Sequence, residues 1–394
     1  MSDAPAVASR YDVVALVSND LATDQRMHRS LTSLSRAGYR CLLLGALRSW
    51  STPLPADWAF AAERLDLRAD AGKRFYWRLH RAHHARLLAL RPRLILAVDL
   101  DTIWAARRAG RRLGIPFVFD AHELFDELPE VARRWHIRLA WRVLGRWCVP
   151  AAAAAYTVGH AIAHILSTRY GLPFAVVRNC PEALDPTEVH RPRELAGSDP
   201  ERPFTILYQG ALNEGRGIEE LIGAAARLRD VRVLIAGNGP EGPRLRALAK
   251  SHPAAEVTFL GALPPAELRA LTPTADLGYA LMRDVGLNYR LSLSNKSLDY
   301  IQAGLPSLQM DWPEYRRLHD EYGCYHLVRE LTIKAVVDAV RACRQNEYHA
   351  RLRAACIEAA PRLTWSTEAE VLLALIAGVL PSAPAHTRAN GGRA

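Results

Sequence analysis

The densest group of residues able to handle an anion lies at residues 294–306, S-N-K-S-L-D-Y-I-Q-A-G-L-P. Ser294 or Asn295 can cap a helix start, because a short side-chain oxygen accepts from the open amides of the first turn. Leu298, Ile301 and Gln302 follow at helical spacing, and Gly304 and Pro306 stop the run. Lys296 then stands at the positive end of a short helix, where free N–H groups and the dipole favour an anion. Asp299, one turn on, can accept from sugar hydroxyls. A phosphate beside a polyol is the simplest ligand using both. A capped surface helix with an ordinary Lys and Asp fits this segment equally well.

Three strand-to-helix turns precede it. Residues 209–222 read Q-G-A-L-N-E-G-R-G-I-E-E-L-I. Gly210, Gly215 and Gly217 let the backbone turn tightly and approach a ligand. Arg216 sits just before a helix, where a guanidinium grips a diphosphate through two parallel bonds. Residues 235–242, I-A-G-N-G-P-E-G, carry Asn238, and residues 257–264, V-T-F-L-G-A-L-P, carry Gly261 and Leu263. The glycine spacing matches neither the dinucleotide fingerprint nor a Walker loop. Each turn alone is ordinary loop chemistry; four in order, ending on the Lys296 helix, are far less so.

Two other groups suggest metals. Asp99-Leu100-Asp101 is a D-x-D at a strand end, and capping of the next helix is the favoured reading. His80, His83 and His84 lack a clear acid partner on an Arg-rich helix, so a solvated face is favoured there. No metal is expected.

These residues must be carried by an α/β framework. Short apolar runs alternate with amphipathic stretches along the whole chain. Strands are expected at 11–18, 39–45, 93–98, 115–119, 153–158 and 174–178 in the first half. The second half offers 204–208, 231–236, 257–260, 277–280 and 307–310. Helices are expected between them, including basic ones at 72–90 and 131–147. At 394 residues there is length for two cores. The expected division is a domain at 1–195, with a Pro- and acid-rich linker at 181–203, and a second at 204–380. The last helix could pack back on the first domain, and the tail at 381–394 is expected to be disordered. Two such halves imply a cleft between them, the usual place for a ligand.

The six scattered cysteines contain no C-x-x-C, which fits a reducing compartment. The N-terminus lacks a signal-peptide pattern, and no run is apolar enough for a membrane span, so a cytoplasmic protein is expected. The net charge of +10 is uneven, with +9 on residues 1–195 and +1 on the rest. An anionic partner for the first half, or an Arg-rich solvated surface, would account for it. Arg134, Arg138, Arg142 and Arg146 recur every four residues with Trp135, Trp141 and Trp147 interleaved. One reading is a helix at 133–147 resting on an anionic membrane; the other has the Trp inward and the Arg in water. No nucleic-acid module is present.

Taken in order, the turns resemble the GT-B fold glycosyltransferases, in particular the retaining group 1, or family 4, class. Members share a G-x-L…K/R-G turn, a G-x-G-P turn, an F-L-G turn and an E-x-x-x-A-x-G-x-P helix. Residues 210–217, 237–240, 259–261 and 299–306 look like these. Residues 288–306 resemble the N-Y-R…N-K-x-x-E-Y-x-x-A-G-L-P of one subgroup, and S-N-D…D-Q-R-M-H-R at 18–29 and F-D-A-H-E at 119–123 match in style. The resemblance implies two Rossmann-like doubly wound domains facing each other across a cleft. It implies a nucleoside-diphosphate sugar as substrate, with no cofactor, and a glycan or lipid-linked acceptor. Arg216 and Lys296 would hold the diphosphate, with Gly210, Gly217, Asn238 and Asn295 in the donor-binding turns. Asp299 would bind the ribose and the Gly261–Leu263 backbone the base. His122 and Glu123 would be the catalytic candidates, contacting donor sugar or acceptor, and Ser18, Asn19 and Asp20 would form an acceptor or phosphate loop. The chain departs from the pattern at Asp299 (usually Glu), Leu291 (usually acidic), Ala211 (often basic) and Ser294 (often Pro). A degraded homologue acting as a scaffold is the alternative. A sugar-nucleotide epimerase of the same fold would need placed acids that were not identified.

Overall fold

The computed structural model describes residues 10–184 and 203–380. The expected linker beyond residue 184 and the expected tail lie outside the described residues. The chain forms two compact units. One comprises residues 1–178 and 368–394, and the other residues 179–367.

The first unit holds a seven-stranded parallel sheet in the order β3-β2-β1-β4-β5-β6-β7. Its strands are β1 (Val13–Leu16), β2 (Cys41–Leu47), β3 (Ala61–Asp66), β4 (Leu94–Val98), β5 (Phe117–Ala121), β6 (Ala154–Thr157) and β7 (Phe174–Val176). Between them run α1 (Gln25–Arg36), α2 (Gly72–Leu90), α3 (Leu100–Leu113), α4 (Pro129–Ala132), α5 (Trp135–Cys148) and α6 (His160–Tyr170). β1, β4 and β5 are buried along their whole length. That is why β1 and β4 read as continuous apolar runs, and β5 as one interrupted by Asp120, rather than as alternating ones: a parallel sheet is covered on both faces. The single helix expected over 131–147 is instead two, α4 and α5, parted at Arg133 and Arg134.

The second unit holds a six-stranded sheet in the order β10-β9-β8-β11-β12-β13. These strands are β8 (Phe204–Gln209), β9 (Val231–Ala236), β10 (Glu256–Gly261), β11 (Leu277–Tyr279), β12 (Ser307–Met310) and β13 (Tyr325–Val328). Every strand pairing in both sheets is parallel. Each sheet is doubly wound, and its order reverses once, between β1 and β4 in the first and between β8 and β11 in the second. A crevice opens at the carboxyl ends of the strands at such a reversal.

The alternation in the sequence missed two strands, β3 and β13. Both are edge strands. β3 reads A-A-E-R-L-D and is only partly buried, so neither an apolar run nor a clean alternation marks it. Among the described residues, no helix is long and apolar enough to cross a membrane.

Candidate functional site

At the reversal of the first sheet, a charged cluster forms around His122, just past the end of β5. Its Nε2 is 2.9 Å from Asp120 Oδ2. Its backbone N–H donates to Asp99 Oδ1 at 2.9 Å, and its Nδ1 lies 3.9 Å from Asp99 Oδ2. Asp120 is fully buried and accepts two bonds from Arg26 of α1, at 3.1 and 3.2 Å. Arg26 is fixed in turn by donating to Val177 O. Burial works against a charged imidazole here, but Asp120 and then Asp99 outweigh it and push His122 up to about 9. Burial likewise opposes the Asp120 carboxylate, yet Arg26 and His122 hold it at about 2. At neutral pH His122 is therefore a cation between two acids: a hydrogen-bond donor, not a base.

One carboxylate of Asp99-Leu100-Asp101 was expected to cap α3. Asp99 stands at the N-cap position but makes no side-chain cap bond; its carboxylate turns to His122 instead, with the backbone at φ +58°. Burial raises Asp99 to about 7, with His122 pulling down and Asp101 and Glu123 pushing up. Burial also raises Asp101, to about 6, against hydrogen bonds from Ser18 and its own amide. Glu123 is exposed.

The Ser18–Asp20 loop is partly committed to local structure. Ser18 O accepts from Arg48, Asn19 donates to Asp24, and buried Asp20 pairs with Arg64 at 2.5 Å. Of the histidines on α2, His80 and His83 are buried rather than solvated. Burial depresses them to about 4 and about 3, and His80 packs edge-on against Trp104. The sequence missed this because the Arg residues around them do face water. Among the described residues, no group of three His, Cys, Asp or Glu side chains is placed to hold a metal ion.

In the second unit, three glycines stack across adjacent strand ends. Gly210 N donates to Ala236 O at 2.9 Å, and Gly237 N donates to Gly261 O at 2.7 Å. A Cβ on Gly237 would sit 1.9 Å from Gly210 O, so no side chain fits. Asn238 is exposed in that turn, its carbonyl accepting from Leu212 N. Leu263 packs below, in a small core with Tyr300. Gly217 starts the helix Ile218–Ala225 at φ +65°, and its carbonyl accepts from Tyr279 Oη.

Around this turn the cations gather. Lys296 Nζ lies 4.0 Å from the Tyr208 ring centroid, above Gly210. Arg216 donates to Met282 Sδ, packs over Tyr289, and keeps a buried Nε with no hydrogen-bond partner. Among the described residues neither side chain forms an ion pair. Burial, then the Arg216 charge, drive Lys296 well below its ordinary pKa, with Asp299 opposing. Lys296 lies on the helix Asn295–Gln302. Ser294 takes the N-cap position, but its hydroxyl is buried and makes no cap bond; exposed Asn295 lies within the first turn. Asp299 accepts from Gln209 at 3.1 Å. The structure thus brings Gly210, Arg216, Lys296 and Asp299 together. Asp120, Arg26 and Gln209 were not singled out by the sequence reading. The signals were there: Asp120 shares a strand face with His122 at a spacing of two, and Gln209 ends an apolar run.

Helix α5 is turned the other way from either expectation. Arg138 and Arg142 are tied to Glu127 and Asp126. Trp141 packs on Tyr76 and Phe125. Trp135, Leu139, Val143 and Trp147, spaced by four, are the exposed stripe, at 52–75% exposure. Arg133, Arg134 and Arg146 are exposed beside it.

Comparison with known proteins agrees with this architecture. The sucrose-phosphate synthase of Thermosynechococcus elongatus superposes with a TM-score of 0.76 at 14% identity, over 94% of this chain and 99% of its own. Anabaena HepE, solved with UDP and glucose, gives 0.71 at 13% identity over 93% and 100%. WaaG, a glycosyltransferase of lipopolysaccharide biosynthesis, gives 0.67 at 13% over 92% and 99%. The fold is that of the GT-B glycosyltransferases. Residues 25–188 match the family model described as Glycosyltransferase Family 4, and residues 203–346 match Glycosyl transferases group 1. The chain belongs to the group 1 glycosyltransferases. No curated protein sequence matches it significantly.

Proposed function

We propose that the protein transfers a sugar, with retention, from a nucleoside-diphosphate sugar to a hydroxyl of a glycan or lipid-linked acceptor in cell-envelope or polysaccharide synthesis. The observation that carries this is the Arg216–Lys296 pair: two adjacent cations without an ion-pair partner among the described residues, over a glycine-walled turn at a sheet reversal. A diphosphate relieves their repulsion. HepE, which shares the fold, was solved with UDP and glucose, which supports the same class of donor here.

As the bond from the sugar to the diphosphate breaks, negative charge builds on the leaving phosphate. Arg216, Lys296 and the amides at the start of the Asn295–Gln302 helix stabilise it, so the reading assigns no metal. Attack by the acceptor from the face the diphosphate leaves gives retention, with that phosphate taking the acceptor proton. His122, as a cation, donates a hydrogen bond to the sugar or acceptor rather than removing a proton. The acceptor is presented at an anionic membrane surface, which the exposed apolar stripe of α5 and its flanking arginines suit.

The test is a thermal-shift panel of UDP, GDP, ADP, dTDP and CMP on wild type and Lys296→Ala. A ligand at a hundredfold excess over its Kd stabilises the native state by about 2.7 kcal/mol. One nucleotide should stabilise wild type and not the variant. Stabilisation by none would sink the donor reading and favour a scaffold that has lost its donor site.

A further inference from the structure

Of the two basic residues at the Gly210 turn, only one can give up its charge. A guanidinium keeps its proton at any pH a folded protein meets. A lysine amine loses its own readily where water is scarce and a like charge is close. Lys296 meets both conditions. Its Nζ lies 4.0 Å from the Tyr208 ring centroid and 3.5 Å from the point that a Cβ on Gly210 would occupy. Burial pushes the Tyr208 phenol up to about 12, so this neighbour is neutral and offsets no positive charge. Arg216, from the turn that follows β8, is the like charge. Asp299, one turn along the same helix, is the acid that acts on the amine, but among the described residues it forms no ion pair with it. Tyr289, from the helix Leu287–Leu291, packs on Arg216. Tyr315, from the helix Pro313–Tyr322, likewise lies in the field of Arg216. Burial and Arg216 outweigh Asp299 and hold Lys296 well below its ordinary value.

A diphosphate reverses this balance, because an opposite charge within about 4–6 Å favours the protonated amine. We propose that Lys296 is a neutral amine in the empty site and takes up one proton from solvent when a nucleoside-diphosphate sugar binds, so that donor capture is coupled to pH. This rests on the donor-site reading above. The empty site carries one cation at the turn, and the second appears only together with the anion that stabilises it. The amine gains a solvent proton to become an ammonium, and no other bond changes. Because binding takes up a proton, donor affinity falls as pH rises between the value of Lys296 in the empty site and its value in the loaded one.

The test is a nuclear magnetic resonance titration of the full chain labelled with 13C at lysine Cε. The chain has four lysines, Lys73, Lys250, Lys296 and Lys334, so the signal missing from Lys296→Arg is that of Lys296. Should that variant not fold, Lys296→Gln gives the same assignment. In the free protein the Lys296 signal should titrate well below the ordinary lysine value of about 10.4. UDP-glucose, GDP-mannose and ADP-glucose are the ligands, because their diphosphates are diesters with no proton to exchange near neutral pH. At saturation with the one that binds best, the titration should move up by about two pH units or more. Calorimetry of that ligand at pH 8, in buffers of different ionisation enthalpy, should show uptake of about half a proton or more. Lys296→Arg cannot lose its charge and should show none. A Lys296 signal in the ordinary range in the free protein overturns the proposal. So does a signal that binding leaves in place, or an uptake that persists in Lys296→Arg, since the proton then lands elsewhere. If wild type binds none of the three sugar nucleotides, the donor-site reading itself is what fails.

Discussion

His122, Asp120 and Arg26 show how a strand end can hold a charge in a nearly dry place. Arg26 is 5% exposed and Asp120 fully buried, so each depends on the other. Removing one partner of such a pair leaves an uncompensated charge, at a cost of about 3–5 kcal/mol. Asp120→Asn should lower stability by that amount, measured by urea denaturation. It should also return the imidazole toward its ordinary range. The pH dependence has a definite sign. His122 is raised from 6.5 to about 9, so its contribution to stability is complete below pH 6.5 and is lost as pH rises through about 9. The advantage in melting temperature of wild type over His122→Gln should therefore shrink across that window. If the difference is flat from pH 6 to 10, the imidazole is not held as a cation. Asp120 works at the other end: its contribution is present above 3.8 and is lost as pH falls through about 2. Arg216, Lys296 and Asp299 were legible in the sequence because Arg216 sits in a glycine-punctuated turn, and Lys296 and Asp299 on a short helix stopped by glycine and proline. Asp120 and Gln209 were not, because a polar residue within a strand looks like a break in an apolar run until its neighbours are known.

The elements that place these groups are set by close backbone approach as much as by side chains. The Gly237 turn rests on Gly210, and a methyl group there overlaps a carbonyl oxygen at 1.9 Å. Gly237→Ala should force the turn away, costing about 2 kcal/mol or more, and should weaken nucleotide binding at least tenfold by calorimetry. Gly278 has a related reason to be glycine: a Cβ would lie 2.6 Å from the Tyr300 ring, which crosses beneath β11. Helix α5 makes the opposite point, since its sequence was legible as amphipathic but not which side faced out. The acids that capture Arg138 and Arg142 come from residues 126 and 127, beyond the helix itself. Its surface is therefore tested with the apolar stripe. Joint substitution of Trp135, Leu139 and Val143 by Ser should reduce binding to phosphatidylglycerol vesicles at least tenfold in a sedimentation assay. Failure of wild type to sediment with such vesicles would remove the membrane from the proposed function.

For the whole molecule, the α/β class and the presence of two sheets were legible because alternation persists across the entire chain. Two of the four edge strands, β3 and β13, were not: β3, for one, is only partly buried, so no apolar run marks it. The first unit is completed by residues from the far end of the chain. Glu368 pairs with Arg178, Tyr39 Oη donates to Leu380 O, and Leu372, Ile376 and Leu380 are buried. At roughly 1.5–3 kcal/mol for each buried aliphatic side chain, truncation after Thr367 removes about 5–9 kcal/mol, comparable with the whole stability of a domain. The truncated protein should lose the unfolding transition of the first unit in calorimetry and still bind nucleotide through the second. An unchanged two-transition melt would contradict this. Synthesis adds a consequence of timing. The residues that finish the first unit leave the ribosome only after all 189 residues of the second unit, 179–367, have been made. At about 5–20 residues per second, the unit begun first waits ten seconds or more for its last helix, while the one begun second has all its residues and can be finished before it.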